Sequence, residues 1–145
     1  MLSNAFANDL LRLVFHGATI DGLAADITGG LEQLYISLHT EDPGAAGTQE
    51  TSEVDYEGYT RIAIPRTADG FTIDGTVMNP SEAWEFGEMT AGDPQTATYM
   101  AIGTDETGPG KILFRAAMQP TIALAEGVTP RLRTSSTLRG LTAQD

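Results

Sequence analysis

Past residue 33 the sequence is cut into short runs of alternating apolar and polar residues, each stopped by Gly, Pro, Asp or Asn. A period of two belongs to extended chain, whose successive side chains leave on opposite faces, and the gaps between runs are too short for the helix of a parallel crossover unit. The expected strands are Leu34 to Thr40, Tyr59 to Ile64, Gly70 to Ile73, Thr76 to Met78, Ala83 to Phe86, Thr96 to Gly103, Lys111 to Met118, Thr121 to Leu124 and Arg131 to Thr137. In the first, Leu34, Ile36 and Leu38 face one way and Tyr35, Ser37 and His39 the other, the pattern of a half-buried strand. Asp74-Gly75 suits a two-residue hairpin turn, and Thr104 to Gly110 supplies Gly-Pro-Gly for a second reversal. The fold class expected is mainly β, an antiparallel β-sandwich of jelly-roll or immunoglobulin-like type over residues 33–145.

A different period precedes it. Phe6, Leu10, Leu13 and Val14 recur at helical spacing, with Ser3 placed to cap the start and Gly17 the end, so residues 3–16 are expected to form a short amphipathic helix. Such a helix is marginal alone and must pack, either on the domain's own core or on a neighbouring subunit. Residues Ala18 to Glu32 read as a loop or a short second helix around Leu23 to Ile27. At 145 residues the chain is expected to be a single domain, 1–145, able to bury a core unaided. The run Leu10 to Phe15 is interrupted by Arg12 and is too short for a membrane span or a signal-peptide core, so the mature protein is expected to start near Met1.

Charge narrows the function. The formal net charge is -12 and no cysteine is present, which leaves neither a disulfide framework nor a thiolate metal site and argues against nucleic acid or an anionic membrane as partner. Residues 1–110 hold 18 acids and 3 bases, whereas residues 111–145 hold 2 acids and 5 bases: Lys111, Arg115, Arg131, Arg133 and Arg139. A split of this kind means complementary surfaces packed within one domain, or copies associating head to tail. In either case Arg131 and Arg133, alternating on one strand, are expected to meet an acidic surface.

Few residues suit chemistry. There is no GxSxG elbow, and the two histidines are His16, where a helix C-terminus explains it, and His39, where one imidazole beside Glu41 and Asp42 falls short of a metal set. Glu82, Glu85 and Glu88 flank Trp84 and Phe86 in an aromatic-acidic arrangement of the kind that holds a sugar, but on a strand the two aromatics point inward and Glu85 outward. The loop Glu41 to Gly58 carries six acids and no base, without the alternating Asp pattern of a calcium loop. No glycine-rich phosphate loop occurs. No cofactor is expected.

The runs Leu34-Tyr35-Ile36-Ser37-Leu38-His39-Thr40-Glu41-Asp42-Pro43-Gly44, Thr48 to Glu53, and Tyr56-Glu57-Gly58-Tyr59-Thr60-Arg61-Ile62-Ala63-Ile64 resemble a tailed-bacteriophage family with LYVALHTADPG, TNEVS and GYARVAV motifs. Ala101 to Thr104 with Gly108 to Leu113, and Gly127 to Pro130, are similar to its later hairpin and turn. The resemblance covers residues 2–15 and 33–145. Members are small virion proteins labelled tail fibre-like, without catalytic residues to carry over. Three departures stand out: a longer connector at Ala18 to Glu32, Ser52 where the family has Asn, and Phe114-Arg115 where relatives often have Tyr-Ser.

The resemblance implies a non-enzymatic virion structural protein, assembled in the host cytoplasm as a homo-oligomer. The expected place is the tail or neck, with capsid decoration and a carbohydrate-binding receptor module as alternatives, the latter through Tyr35, Tyr56, Tyr59 and Tyr99. Its partners would be other virion proteins. Interfaces are expected on the helix face (Phe6, Leu10, Leu13), on the acidic loop (Asp42, Glu53, Tyr56) and at Arg131 and Arg133.

Overall fold

A computed structural model describes residues 1–16, 18–23, 30–74 and 77–135. The elements run α1 (Asn4–His16), β1 (Gln33–His39), β2 (Ile62–Pro65), β3 (Phe71–Asp74), β4 (Val77–Pro80), β5 (Trp84–Glu85), β6 (Gln95–Gly103), β7 (Ile112–Leu124) and β8 (Arg131–Leu132). All described pairings are antiparallel: a four-stranded sheet ordered β2-β1-β6-β7 and two ribbons, β3-β4 and β5-β8. The mainly β, sandwich-like expectation with one N-terminal helix is met.

The core lies on one face of the four-stranded sheet. Ile36 and Leu38 of β1, Ile64 of β2, Met100 and Ile102 of β6 and Met118 of β7 pack there against Val54, Tyr56, Trp84, Phe86 and Met89. Alternation along each strand produces that face, and the ribbons close over it, Phe71 meeting Trp84 edge to face at 5.6 Å.

Four expectations need correction. β1 is not half-buried: Ser37 and His39, on its other face, are as sealed as Ile36 and Leu38, because residues 40–53 fold back over them. Lys111 to Met118 and Thr121 to Leu124 are one bent strand, since Thr98 alone stands opposite residues 118–121 and the register resumes beyond them. In the β3-β4 ribbon Asp74 pairs with Val77, so the connection is residues 75 and 76, one place later than expected and outside the described residues. The last strand is shorter than expected: β8 ends at Leu132, Arg133 follows it outside the ladder and residues 134 and 135 turn, while residues 136 and 137 and the second helix expected around Leu23 to Ile27, apart from Leu23 itself, lie outside the described residues.

Helix α1 starts where Ser3 places it. The Ser3 hydroxyl accepts from the Phe6 N–H at 3.2 Å, and the Asn4 N–H donates to Ala45 O at 2.8 Å. Just before the helix, Leu2 bridges to Phe114, so the N-terminal segment extends the sheet beyond β7. Phe6 then stands edge-on to Phe114 at 5.6 Å, which settles the first half of the helix on its own chain. The second half projects, leaving Leu13 at the surface and Phe15 76% exposed.

Candidate functional site

The acidic loop is held by many hydrogen bonds to the rest of its own chain. Thr51 O can only accept, so the His39 Nδ1–H donates to it at 2.8 Å, and Nε2 is left to accept the Ser37 hydroxyl at 2.8 Å. Desolvation lowers the His39 pKa and keeps the ring neutral. The contact has the spacing of a nucleophile and its base, but both residues are sealed from solvent and Nδ1 faces a carbonyl where a triad has a carboxylate. It fastens a loop to a strand.

Two further anchors flank it. Gln49, fully buried, donates from Nε2 to Asp105 O at 3.2 Å and accepts at Oε1 from the Asp105 N–H at 3.0 Å. Gly103 leaves the room: a Cβ there would lie 2.1 Å from Gln49 Cδ. Glu53 takes three donors, the Tyr59 hydroxyl at 2.6 Å and Arg61 Nε and Nη2 at 2.8 Å each. The two side chains of this ion pair are only 4% (Arg61) and 14% (Glu53) exposed. Arg61 also reaches Asp105 O and Gly108 O, at 3.0 and 2.7 Å, and so joins the loop, β2 and the β6-β7 reversal. Its bonds to Glu53 raise the guanidinium pKa, while burial pushes the Tyr59 hydroxyl far up.

Asp42, in the same loop, accepts from the Gly44 N–H and from Arg115 Nε, both at 2.8 Å, and these bonds hold its carboxyl below the usual range. The acids expected at an interface are therefore engaged within the chain. Tyr56 is buried, its hydroxyl donating to Gly87 O at 2.7 Å. Among the described residues no three His, Asp or Glu side chains come together as a metal set.

The charge split resolves in the same way. Lys111 reaches Asp9 at 2.5 Å, Arg115 reaches Asp42, and Arg131 pairs with Glu85 across the β5-β8 ribbon. Each base of the C-terminal quarter that pairs does so with an acid from residues 1–110, so the two halves meet within one chain. Arg133 is exposed and makes no ion pair among the described residues. Leu13 is exposed, while Phe6 and Leu10 are half-buried. The eight expected interface residues therefore do not form one patch.

Sequence reasoning placed Trp84 and Phe86 inward correctly but missed Arg61, Gln49 and the Ser37–His39 contact. The signal was available in the motifs themselves. Tyr59 and Arg61, two apart, lean on one carboxylate, and Ser52 before it has a positive φ of 56°.

Among the described residues, two concavities lie on the surface outside this network. A shallow polar hollow of about 460 Å³ is bordered by Tyr35, Gln33, Glu32, Asp105 and Glu106. A groove of about 670 Å³ runs between the ribbons and β7, over Met78, Trp84, Met100, Met118 and Ile122.

No curated protein matches the chain. The family model described as "Podophage GP4 fiber I protein gp80" matches residues 1–138, and the chain belongs to that phage fibre family.

Proposed function

We propose that this protein is a non-enzymatic structural component of a phage tail, a fibre-type accessory at the tail or neck that assembles as an oligomer with other virion proteins. Family membership supports a fibre role in the virion. The observation that carries the structural reading is the fate of the motif residues: His39, Asp42, Glu53, Tyr59 and Arg61 all bond to their own chain, and His39 and the Glu53–Arg61 pair are buried or nearly so. A reactive or ligand-binding site keeps donors and acceptors free for its substrate. Here the motif holds a fold together, as a part used in repeated assembly requires.

Immunogold labelling of intact particles tests the location. Gold at the tail or neck is the expected result; gold spread over the head would establish the capsid-decoration reading instead. A carbohydrate-binding reading draws on the Tyr35 hollow, where a half-buried ring stands beside polar side chains able to bond sugar hydroxyls. Glycan-array binding that Tyr35→Ala abolishes would favour it over a purely structural role.

A further inference from the structure

Among the described residues, the hydrogen bonds, ion pair and ring contact that tie residues 1–16 to the body gather on Ala45 and residues 111–115. Ahead of the helix, the Ser3 N–H donates to Leu113 O at 3.3 Å and the Arg115 N–H to Met1 O at 3.0 Å, on either side of the Leu2–Phe114 bridge. This segment is one more strand on the outer edge of β7. The helix then sets Phe6 on Phe114 and Asp9 against Lys111, and the Asn4 N–H bonds Ala45 O. Past Leu10 it leaves the body: Leu13 lies at the surface, Phe15 is 76% exposed, and the chain is sealed again at Ile20, 7% exposed. The reversal between helix and Ile20 is closed by one described backbone bond, from the Ala18 N–H to Arg12 O at 3.1 Å.

We infer that residues 1–16 are an exchangeable arm: in the assembled protein two copies trade arms about a two-fold axis, each arm lying on the β7 edge of the other copy and repeating there the contacts it makes within a single chain. The dock itself selects the occupant, because Leu2, Phe6 and Asp9 show which segment the strand edge, the Phe114 ring and Lys111 accept. A second copy brings that same segment. Contacts in the dock are equal in the two arrangements, so the balance rests on the hinge and on the new surface that exchange closes. The hinge is a few residues long with one described bond to break, and short hinges favour exchange. New surface is at hand: two arms crossing at the axis bring Leu13 and Phe15 of each copy together, covering apolar side chains that the single chain leaves in water. Charge suits the crossing as well. Residues 1–16 hold one acid and one base in a chain of net charge -12, so the element that passes between copies adds no repulsion of its own. The inference rests on the oligomeric reading above and names the element that links the copies.

The chain has no cysteine, so an engineered pair reports the arrangement directly. Leu2 and Phe114 are antiparallel partners, close enough for a disulfide. Full-length protein carrying Leu2→Cys and Phe114→Cys, oxidised and run on a denaturing gel without reductant, is expected as a covalent dimer, and the wild type is expected to show a dimer mass by light scattering. Asp9→Lys alone and Lys111→Asp alone should each weaken dimerisation about tenfold, and the two variants unfolded and refolded together should regain wild-type affinity, since each altered arm then meets the altered dock. Phe15→Ser should weaken dimerisation by at least as much and leave the thermal unfolding midpoint of the monomer unchanged. If the cysteine pair fails to fold, the charge pair, at partly exposed positions, decides alone. Dimers whose cysteine pair closes only within single chains, or whose charge variants fail to complement, would overturn the exchange but keep the oligomeric reading. A wild type that stays monomeric at millimolar concentration would overturn both.

Discussion

The loop of residues 40–58 and the β3-β4 ribbon contrast in a direction opposite to their secondary structure. The loop has no strand of its own, yet it buries Gln49 and surrounds Glu53 with three donors. The ribbon is regular and correctly alternating, yet it leaves Ile73 in solvent. Regularity satisfies backbone groups only along a ladder, whereas anchorage depends on how many side chains find partners elsewhere. The loop is fixed by polar closure, and the ribbon is tied to the core through the apolar side chains of Phe71 and Met78.

Four measurements would break or sharpen that contrast. Arg61→Met leaves the Glu53 carboxylate with one donor in a largely sealed site, and should cost about 3 kcal/mol or more in denaturant unfolding. Pairing it with Glu53→Leu should return a good part of that loss, since no charge is then stranded. A loss below about 1 kcal/mol for Arg61→Met alone would mean the loop is not held by its polar closure.

His39 gives a pH signature. Its folded pKa lies below the unfolded value of about 6.5, so the unfolded chain binds a proton that the folded one refuses. Its contribution to stability is whole above that value and falls as pH drops toward the depressed folded pKa. His39→Gln should cost about 1 kcal/mol at pH 7 and flatten the decline in melting temperature between pH 7 and 5; an unchanged slope would remove His39 from the account.

Ser52→Asn should stabilise by roughly 0.5 kcal/mol, because Asn tolerates the left-handed backbone at this position better than Ser does. Ile73→Thr, at the ribbon, should move the monomer's stability by less than about 0.5 kcal/mol. A larger loss there would show that the ribbon is as firmly anchored as the loop.

The same contrast explains what could be read in the sequence. β1, β6, the ribbons and α1 were legible because each carries its own period and its own stop signal, as Ser3 does for the helix. The buried side of β1 was not, because Ser37 and His39 are polar, and whether a polar face meets water or a covering loop depends on residues 12 or more positions away. Glu53 and Arg61 read as one more acid and one more base until the fold brings them within 2.8 Å. The division of charge was visible, and so was its meaning in outline, but not its pairing. The continuous strand β7 was hidden by Pro120, which reads as a stop but stands in a bulge. The motifs behind the family resemblance were legible as a signature while their purpose was not. Ser52 shows why: it reads as one more polar loop residue, and only the fold reveals that its backbone is left-handed.

The pairing of Leu2 with Phe114 bears on how the chain reaches this fold. Arg115 Nη1 donates to Leu2 O between residues 113 positions apart, so the segment before the helix docks on a strand made much later than itself. During synthesis Phe6 lacks its Phe114 partner until β7 emerges, and the Asn4 N–H to Ala45 O bond is the contact that can form earlier. Closure of the sheet edge is therefore expected late in folding, after release of most of the chain, and a nascent protein arrested before residue 112 would present the helix face to chaperones.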